Sequence, residues 1–289
     1  MNVANREIKA ANGVKIPQVG FGVYKLIKEE DFENAVGEAI RNGYRHFDTA
    51  KIYGNEKKLG MEIQKSKIPR EEFFITSKVW NTDLGYEATK KAFKRTCENL
   101  NVEYIDMYLI HFAAPCYLEA WRAMEDLYSE GKIKVIGVAN FEIQHLEELM
   151  KHSKIAPMVN QIETHPEFPQ NDLHDYLIKH KILHAAWAPL GQGNKDLLKN
   201  KVLEEIANDH EKTVAQVILR WHTQRGIIII PKSSNPKRIK ENIQLFDFEL
   251  SSEEMGKVNQ LNKGKRYSHN PSGYMVNPLY NKLMKIFLK

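Results

Sequence analysis

Short β-rich runs alternate with amphipathic helical stretches along nearly the whole chain, and this alternation restricts the fold more than any other feature of the sequence. Three helical stretches, residues 86–100, 117–132 and 141–153, repeat apolar residues at three- and four-residue spacing, as helices with one buried face do. Eight runs read as strands, each followed by helical sequence: residues 17–26, 45–50, 71–80, 104–111, 133–141, 157–163, 182–190 and 226–234. Eight βα units predict a (β/α)₈ barrel, an α/β fold that needs about 250 residues.

The chain shows no sign of a division into domains. No linker rich in proline, glycine or serine interrupts it, so residues 1–289 are predicted to form a single barrel domain. A doubly wound open sheet is the other architecture built from βα repeats, but the GxGxxG turn that usually follows its first strand is missing. Ahead of the barrel, Asn12–Gly13 joins two short alternating runs and predicts a β-hairpin. Gly131 predicts the end of the helix in residues 117–132.

Charge and cysteine content narrow the class of protein. The chain has 42 Lys and Arg against 37 Asp and Glu, a formal net charge of +5 with both signs interspersed. This weak positive field favours small anionic ligands, but no basic block is interleaved with aromatic residues as in a nucleic-acid-binding surface. Cys97 and Cys116 form neither a disulfide framework nor a zinc motif, and no apolar run approaches about 18 residues. We expect a cytoplasmic protein with no metal site, membrane segment or nucleic-acid partner.

Polar residues close three successive predicted strands. Asp48 ends the second strand, with Tyr53 in the loop that follows, Lys78 lies near the end of the third, and His111 ends the fourth. Because the active site of a (β/α)₈ barrel gathers at the C-terminal ends of its strands, these four side chains are predicted to converge. Each also has a structural explanation: a turn or capping aspartate, a partly buried loop phenol, a paired buried lysine, and a hydrogen-bonded core histidine. Their occurrence together favours a shared site.

The chemistry of these residue types explains why they belong together. A tyrosine ordinarily titrates near pH 10, which is too high for efficient proton donation unless a neighbouring cation stabilises the phenolate. Lys78 can supply that cation, and Asp48 can hold it charged and in place. His111 can donate a hydrogen bond to a carbonyl oxygen. Tyr53 is then the expected proton donor to a developing alkoxide.

Five motifs resemble segments of the aldo-keto reductases. They occur in the same order as in that family, and the resemblance covers essentially the whole chain. Residues 43–56, 75–81 and 104–111 resemble the family segments that carry the aspartate and tyrosine, the lysine and the histidine. Residues 131–141 and 230–242 resemble its fifth-strand and cofactor-phosphate segments. The resemblance implies a (β/α)₈ carbonyl reductase that uses NAD(P)H without a dinucleotide fold, with the four residues as its catalytic set. It also implies a monomer, as family members often are.

The resemblance further implies how the cofactor is held. The residues that match cofactor-binding positions are Asn140, Gln161, Trp187, Leu190, Gly191, Lys232, Ser233, Ser234, Arg238, Glu241 and Asn242. Read physically, the basic and hydroxyl side chains within residues 232–238 could form an anion pocket for a 2′-phosphate, or simply a solvated basic loop. With the resemblance, the pocket is preferred, and NADPH is expected over NADH.

These motifs indicate the substrate less clearly than they indicate the cofactor. Tyr24, Trp80 and Phe112 are expected to line the substrate pocket, and the family commonly has tryptophan at the first and third of these positions. Ala139 replaces a common serine beside Asn140, which removes one hydroxyl contact to the nicotinamide amide. The chain resembles the prokaryotic-type 2,5-diketo-gluconate reductases, and we expect small carbonyls, α-ketoaldehydes or keto sugars as substrates. A histidine at position 111, rather than the glutamate of steroid double-bond reductases, favours carbonyl reduction.

Three other readings remain at the sequence level. The chain could be a cofactor-binding regulatory subunit, a structural protein that keeps the fold without turnover, or, on its pI near 8.9, a nucleic-acid-binding protein. The intact catalytic set counts against a protein without turnover but leaves open a slow catalyst whose main role is sensing NADPH. The interspersed charge counts against the third reading. The aromatic residues in the tail, residues 264–289, could cap the site or pack on the barrel.

Overall fold

A computed structural model describes residues 6–268 together with Asn270 and Pro271. The strands are β1 Glu7–Lys9, β2 Lys15–Pro17, β3 Gly20–Gly22, β4 His46–Asp48, β5 Phe74–Val79, β6 Ile105–Ile110, β7 Ile133–Ala139, β8 Val159–Glu163, β9 Leu183–Trp187 and β10 Ile228–Ile230. The helices are α1 Glu29–Arg41, α2 Glu56–Lys65, α3 Tyr86–Leu100, α4 Tyr117–Ser129, α5 Ile143–His152, α6 Asn171–Lys179, α7 Lys195–Leu198, α8 Lys201–Asp209, α9 Val214–Gln224, α10 Pro236–Ile243 and α11 Ser252–Asn259. Short 3₁₀ helices occur at Lys51–Tyr53, Arg70–Glu72, Asn81–Asp83 and Gly191–Gly193.

The eight strands β3 to β10 form one parallel sheet in chain order, and the sheet closes on itself. Closure rests on a parallel bridge between Val19 and Ile229 and on two backbone hydrogen bonds. The amide of Ile229 donates to the Gln18 carbonyl at 2.9 Å, and the amide of Gly22 donates to the Pro231 carbonyl at 3.0 Å. The predicted (β/α)₈ barrel is therefore confirmed, with each strand inside its predicted run.

The apolar runs form strands because both of their faces are buried. Every residue of β5 and β6 is buried, as in a sheet with side chains filling the barrel on one face and helices covering the other.

The end of helix α4 is determined by its local sequence. Gly131 follows α4 with φ +71°, and the next amide, that of Lys132, bonds back to the Leu127 carbonyl at 2.9 Å. The predicted end of this helix is confirmed.

The predicted N-terminal hairpin is also present. Strands β1 and β2 pair antiparallel with Ile8 opposite Ile16, and the turn between them contains Gly13 at φ +86°. Ile16 is fully buried, and β2 leads directly into β3, so the hairpin lies at the N-terminal end of the barrel strands.

Among residues 6–268, no helix has the length and apolar character needed to cross a membrane. The same residues contain no group of three or more His, Cys, Asp or Glu side chains placed to hold a metal ion. Most of the tail considered in the sequence, residues 272–289, lies outside the described residues, as do residues 1–5, so the single-domain reading of 1–289 stays a prediction.

Candidate active site

The structure brings the four polar residues of the strand ends together at the C-terminal side of the barrel. Asp48 is the last residue of β4, Lys78 is the penultimate residue of β5, and His111 directly follows β6. Tyr53 ends the 3₁₀ helix that follows β4 and is half-buried, whereas the other three side chains are buried. Neighbouring parallel strands in register place these side chains in one group.

A buried ion pair forms the base of this group. Lys78 Nζ lies 2.6 Å from Asp48 Oδ1 and donates a second hydrogen bond to the Thr49 carbonyl at 2.9 Å. The other carboxylate oxygen, Asp48 Oδ2, accepts a hydrogen bond from Gln161 Nε2 at 2.8 Å. Burial lowers the pKa of Lys78, and the adjacent carboxylate of Asp48 opposes that shift. The pair is thus held in fixed geometry with both carboxylate oxygens bonded.

Tyr53 lies directly above the ion pair. Its ring centroid is 5.3 Å from Lys78 Nζ, 5.9 Å from the His111 ring centroid and 4.9 Å from that of Tyr24. Burial raises the pKa of the Tyr53 phenol well above its ordinary value, and the charge of Asp48 adds to the shift. This direction differs from the sequence-based expectation that Lys78 lowers the phenol pKa, because burial of the phenol and the charge of Asp48 both disfavour the phenolate.

His111 is a neutral imidazole in this environment. Burial lowers its pKa well below the ordinary value, and the positive charge of Lys78 acts in the same direction. Its Nδ1 is buried and has no hydrogen-bond partner within residues 6–268. The rings of Trp80 and Phe112 both lie 5.1 Å from the His111 ring, the second stacked on it. The three predicted substrate-pocket residues, Tyr24, Trp80 and Phe112, therefore border the tyrosine and histidine.

Three predicted nicotinamide-binding residues lie beside this group and are linked to it by hydrogen bonds that the sequence did not indicate. Asn140 has φ +62° and donates through Nδ2 to the His111 carbonyl at 3.0 Å. Trp187 Nε1 donates to Asn140 Oδ1 at 2.9 Å. Gln161 bonds to Asp48, as described above. No sequence signal identifies these pairings, since they depend on how side chains from different strands orient.

The residues expected to hold the cofactor phosphates follow the last two strands. Leu190 and Gly191 come after β9, and Gly191 is buried with φ +57°. The segment from Lys232 to Asn242 comes after β10 and contains helix α10. Three of its predicted residues, Lys232, Ser234 and Arg238, are exposed, Glu241 is half-buried, and Ser233 and Asn242 are buried.

Sequence reasoning did not identify Tyr267 as a neighbour of the predicted cofactor loop. A Cβ atom at Gly191 would lie 2.9 Å from the Tyr267 ring, so the two residues are in close contact. The Tyr267 amide donates to Glu163 Oε1 at 2.5 Å, and its phenol donates to Glu167. The first aromatic residue of the tail therefore packs at the edge of the site.

Comparison with known proteins agrees with this geometry. Residues 18–263 match the Aldo/keto reductase family. Among curated relatives, the glyoxal reductase of Bacillus subtilis (strain 168) is 51% identical over 265 residues, covering 91% of this chain and 95% of the relative. The methylglyoxal reductase DkgA of Escherichia coli (strain K12) is 40% identical over 270 residues, covering 92% and 97%.

Solved structures show the same likeness. An aldo-keto reductase from a Medee basin deep-sea metagenome library superposes with a TM-score of 0.89 at 46% identity, covering 91% of this chain and 97% of its own. An aldo-keto reductase of Bombyx mori in complex with NADP superposes with a TM-score of 0.86 at 34% identity, covering 92% and 95%.

The chain belongs to the aldo/keto reductase family. It is accordingly an NADP-dependent oxidoreductase that acts on carbonyl groups, and the family predicted from the sequence motifs is confirmed.

Proposed function

We propose that this protein reduces the carbonyl group of small aldehydes or ketones to an alcohol with NADPH, and that Tyr53 is the proton donor. The observation that carries the proposal is the arrangement of Tyr53 over the Lys78–Asp48 ion pair and beside a neutral His111. All of these groups lie at the end of the barrel where enzymes of this fold have their active sites.

Each side chain has a distinct role in the proposed reaction. Burial raises the pKa of the Tyr53 phenol, so Tyr53 keeps its proton at neutral pH, and its donation depends on the stabilisation of the phenolate by a neighbouring cation. His111 stays neutral and can donate a hydrogen bond to the carbonyl oxygen, which polarises it without adding a charge. Lys78 stabilises the phenolate that forms when Tyr53 releases its proton, and Asp48 fixes the position of the lysine. Bound NADPH supplies the hydride.

The residues present fit NADPH. Within the described part of the chain, neither Lys232 nor Arg238 has a carboxylate within ion-pair distance, so both cations are available to a phosphate. Ser233 Oγ accepts a hydrogen bond from the Asn235 amide at 3.1 Å, which orders the turn before α10. We propose that these residues bind the 2′-phosphate, with Ser234, Glu241 and Asn242 nearby.

The remaining cofactor contacts are proposed on the same basis. Asn140 and Gln161 hold the carboxamide of the nicotinamide, Trp187 stacks on its ring, and Leu190 and Gly191 contact the pyrophosphate. Asn140 and Gln161 are already ordered by bonds to Trp187 and Asp48, so binding them costs little conformational entropy.

We propose α-ketoaldehydes, small aldehydes and keto sugars as the substrate class. The two bacterial relatives named above are a glyoxal reductase and a methylglyoxal reductase, and both names refer to small dicarbonyl compounds. Tyr24, Trp80 and Phe112 give the entrance an aromatic wall, and 47% of the Tyr24 surface is exposed.

Turnover of a carbonyl panel tests the proposal. Glyoxal, methylglyoxal, a simple aldehyde and a keto sugar are assayed by the loss of NADPH absorbance, with NADH in parallel. Turnover of the dicarbonyl compounds with a preference for NADPH supports the proposal. Tight NADPH binding with no turnover of any of them would instead indicate a cofactor-binding regulatory protein.

The quaternary state and compartment belong to the same proposal. Cys97 and Cys116 are both unpaired, which suits a reducing compartment such as the cytoplasm. A monomer is expected to give a mass near 33.5 kDa by light scattering.

A further inference from the structure

A second cleft lies on the opposite side of the barrel from the proposed active site. It has a volume of about 320 Å³ and is lined by the hairpin, by Gln18 between the hairpin and β3, by the C-terminal half of α9 and by the segment before α11. These elements surround the N-terminal ends of the barrel strands, because Gln18 precedes β3 and Gly226 precedes β10. No step of carbonyl reduction uses this side of the barrel.

Arg220 is the unusual residue of this cleft. It lies on α9, only 5% of its surface is exposed, and its Nε and Nη1 atoms are buried without a hydrogen-bond partner in the described part of the chain. Residues 6–268 also provide no carboxylate within 4 Å of its guanidinium. A buried and unpaired charge is costly, so a native protein that keeps one usually supplies a counter-ion.

A second guanidinium group faces the same cleft. Arg6 and Arg220 lie 5.8 and 5.6 Å from the centre of the Phe246 ring, and both line the cleft. Burial lowers the pKa of Arg220, and the charge of Arg6 acts in the same direction. The two like charges therefore destabilise each other in the free protein.

Two carboxylates lie at the rim of the cleft, and the charge of Glu249 partly offsets that of Arg220. Glu7 is engaged with Lys15 at 3.1 Å. Glu249 is exposed, and no ion pair joins it to either arginine among the described residues. The side-chain amide of Gln18 is already engaged, because it donates to the Thr223 and Ile227 carbonyls at 2.9 and 3.1 Å. The two arginines are therefore the donors that this cleft offers to a ligand.

We propose that this cleft is a binding site for a tetrahedral oxyanion of the phosphate class, held by the guanidinium groups of Arg220 and Arg6. A guanidinium group presents parallel N–H donors that match two oxygens of such an anion. The two positive charges suit an anion that carries between one and two negative charges at neutral pH.

Inorganic phosphate is the probe that tests the site. Thermal unfolding is followed as sodium phosphate is added to protein saturated with NADPH, which keeps the proposed 2′-phosphate pocket filled, and sodium chloride at the same ionic strength is the reference. The melting temperature should rise with phosphate along a saturating curve and should change less with chloride.

Variants locate the effect. Arg220→Lys keeps the buried charge but loses the paired donors, so the apparent Kd for phosphate should rise about tenfold. Arg6→Gln should raise it about threefold, since Arg6 is exposed, and Glu249→Gln should lower it by a similar factor because a competing carboxylate is removed. Lys94→Gln removes one exposed positive charge from α3 and should leave the Kd unchanged.

Equal stabilisation by phosphate and chloride would overturn the proposal, as would a wild-type Kd in both arginine variants. If Arg220→Lys does not fold, the opposite shifts expected for Arg6→Gln and Glu249→Gln decide the question by themselves. Because NADPH is saturating throughout, the phosphate response is separate from the proposed carbonyl reduction, and either can fail without the other.

Discussion

Replacing Tyr53 with phenylalanine tests the proposed proton donor most directly. The substitution removes only the phenol oxygen. The ring keeps its contacts with Tyr24 and His111 at 4.9 and 5.9 Å, and Lys78 stays bonded to Asp48. No hydrogen bond from the Tyr53 hydroxyl is present among the described residues, so the fold loses little stability.

The expected loss of turnover follows from the loss of the phenol proton that Tyr53 is proposed to donate. A positioned general acid contributes about 10²- to 10⁴-fold to a rate, which corresponds to about 3 to 5 kcal/mol of activation free energy. The high pKa of Tyr53 means that nearly every molecule carries the proton at neutral pH, so its whole contribution is lost in the variant. We therefore expect kcat to fall by about 10² or more.

Two measurements on the same preparation separate chemistry from binding. The kcat for methylglyoxal is taken from NADPH absorbance, and the Kd for NADPH is taken from fluorescence titration. The Kd for NADPH should stay within about threefold of the wild-type value, since cofactor binding, unlike the chemical step, does not depend on the proton donor. Tyr176→Phe, which removes a phenol from α6, is the matched control and should keep wild-type turnover.

A Tyr53→Phe enzyme with turnover within about threefold of wild type would refute the assignment. So would a loss of activity accompanied by an equal loss of NADPH affinity, because the residue would then act in cofactor binding. Either conclusion requires that the Tyr53→Phe enzyme has a melting temperature close to that of wild type.

The remaining predictions concern the ion pair, the phosphate pocket and the buried histidines. Lys78→Met should lower the free energy of unfolding by about 3 to 5 kcal/mol in urea because it leaves Asp48 buried and unpaired; adding Asp48→Asn should recover part of this, and a double variant no more stable than the single one would contradict the reasoning. Arg238→Ala should raise the Kd for NADPH more than that for NADH in fluorescence titrations, and equal losses would count against the phosphate pocket. Burial lowers the pKa of His174 to about 4, and its ring bonds to the buried His184 ring at 3.0 Å. The imidazole takes up its proton at higher pH in the unfolded chain than in the folded one. The free energy of unfolding should therefore be fully present above about pH 6.5 and fall by about 1.4 kcal/mol per pH unit for each such histidine down to about pH 4. A His174→Gln variant with the same pH slope would refute this.

The barrel could be read from the sequence because its elements are determined by local patterns. The run that becomes β6 is apolar apart from Asp106, and α3 occupies the predicted stretch from Tyr86 to Leu100. Parallel strands joined by helices then leave few topologies, and the convergence of Asp48, Lys78 and His111 follows from strand order alone.

The finer features of the site could not be read in this way, because they depend on side-chain orientation and burial. Gln161 bonds to Asp48 across more than one hundred residues of chain, and no spacing in the sequence indicates it. The close approach of Tyr267 to Gly191 and the unpaired state of Arg220 are equally invisible. The direction of the Tyr53 pKa shift was mistaken for the same reason, since it is set by desolvation that only the folded chain produces.

The raised pKa of Tyr53 is compatible with its proposed role as an acid once the two states of the reaction are compared. Before transfer, Lys78 and Asp48 lie 2.6 Å apart and nearly cancel as charges, so burial keeps the phenol protonated. During transfer, negative charge moves onto the Tyr53 oxygen, and a lysine already fixed near that ring stabilises it without reorganising. In the proposed mechanism, Asp48 raises the pKa of the acid while it holds the cation that stabilises the phenolate. In the proposed mechanism the ion pair therefore favours the transition state over the ground state, which is the condition for catalysis.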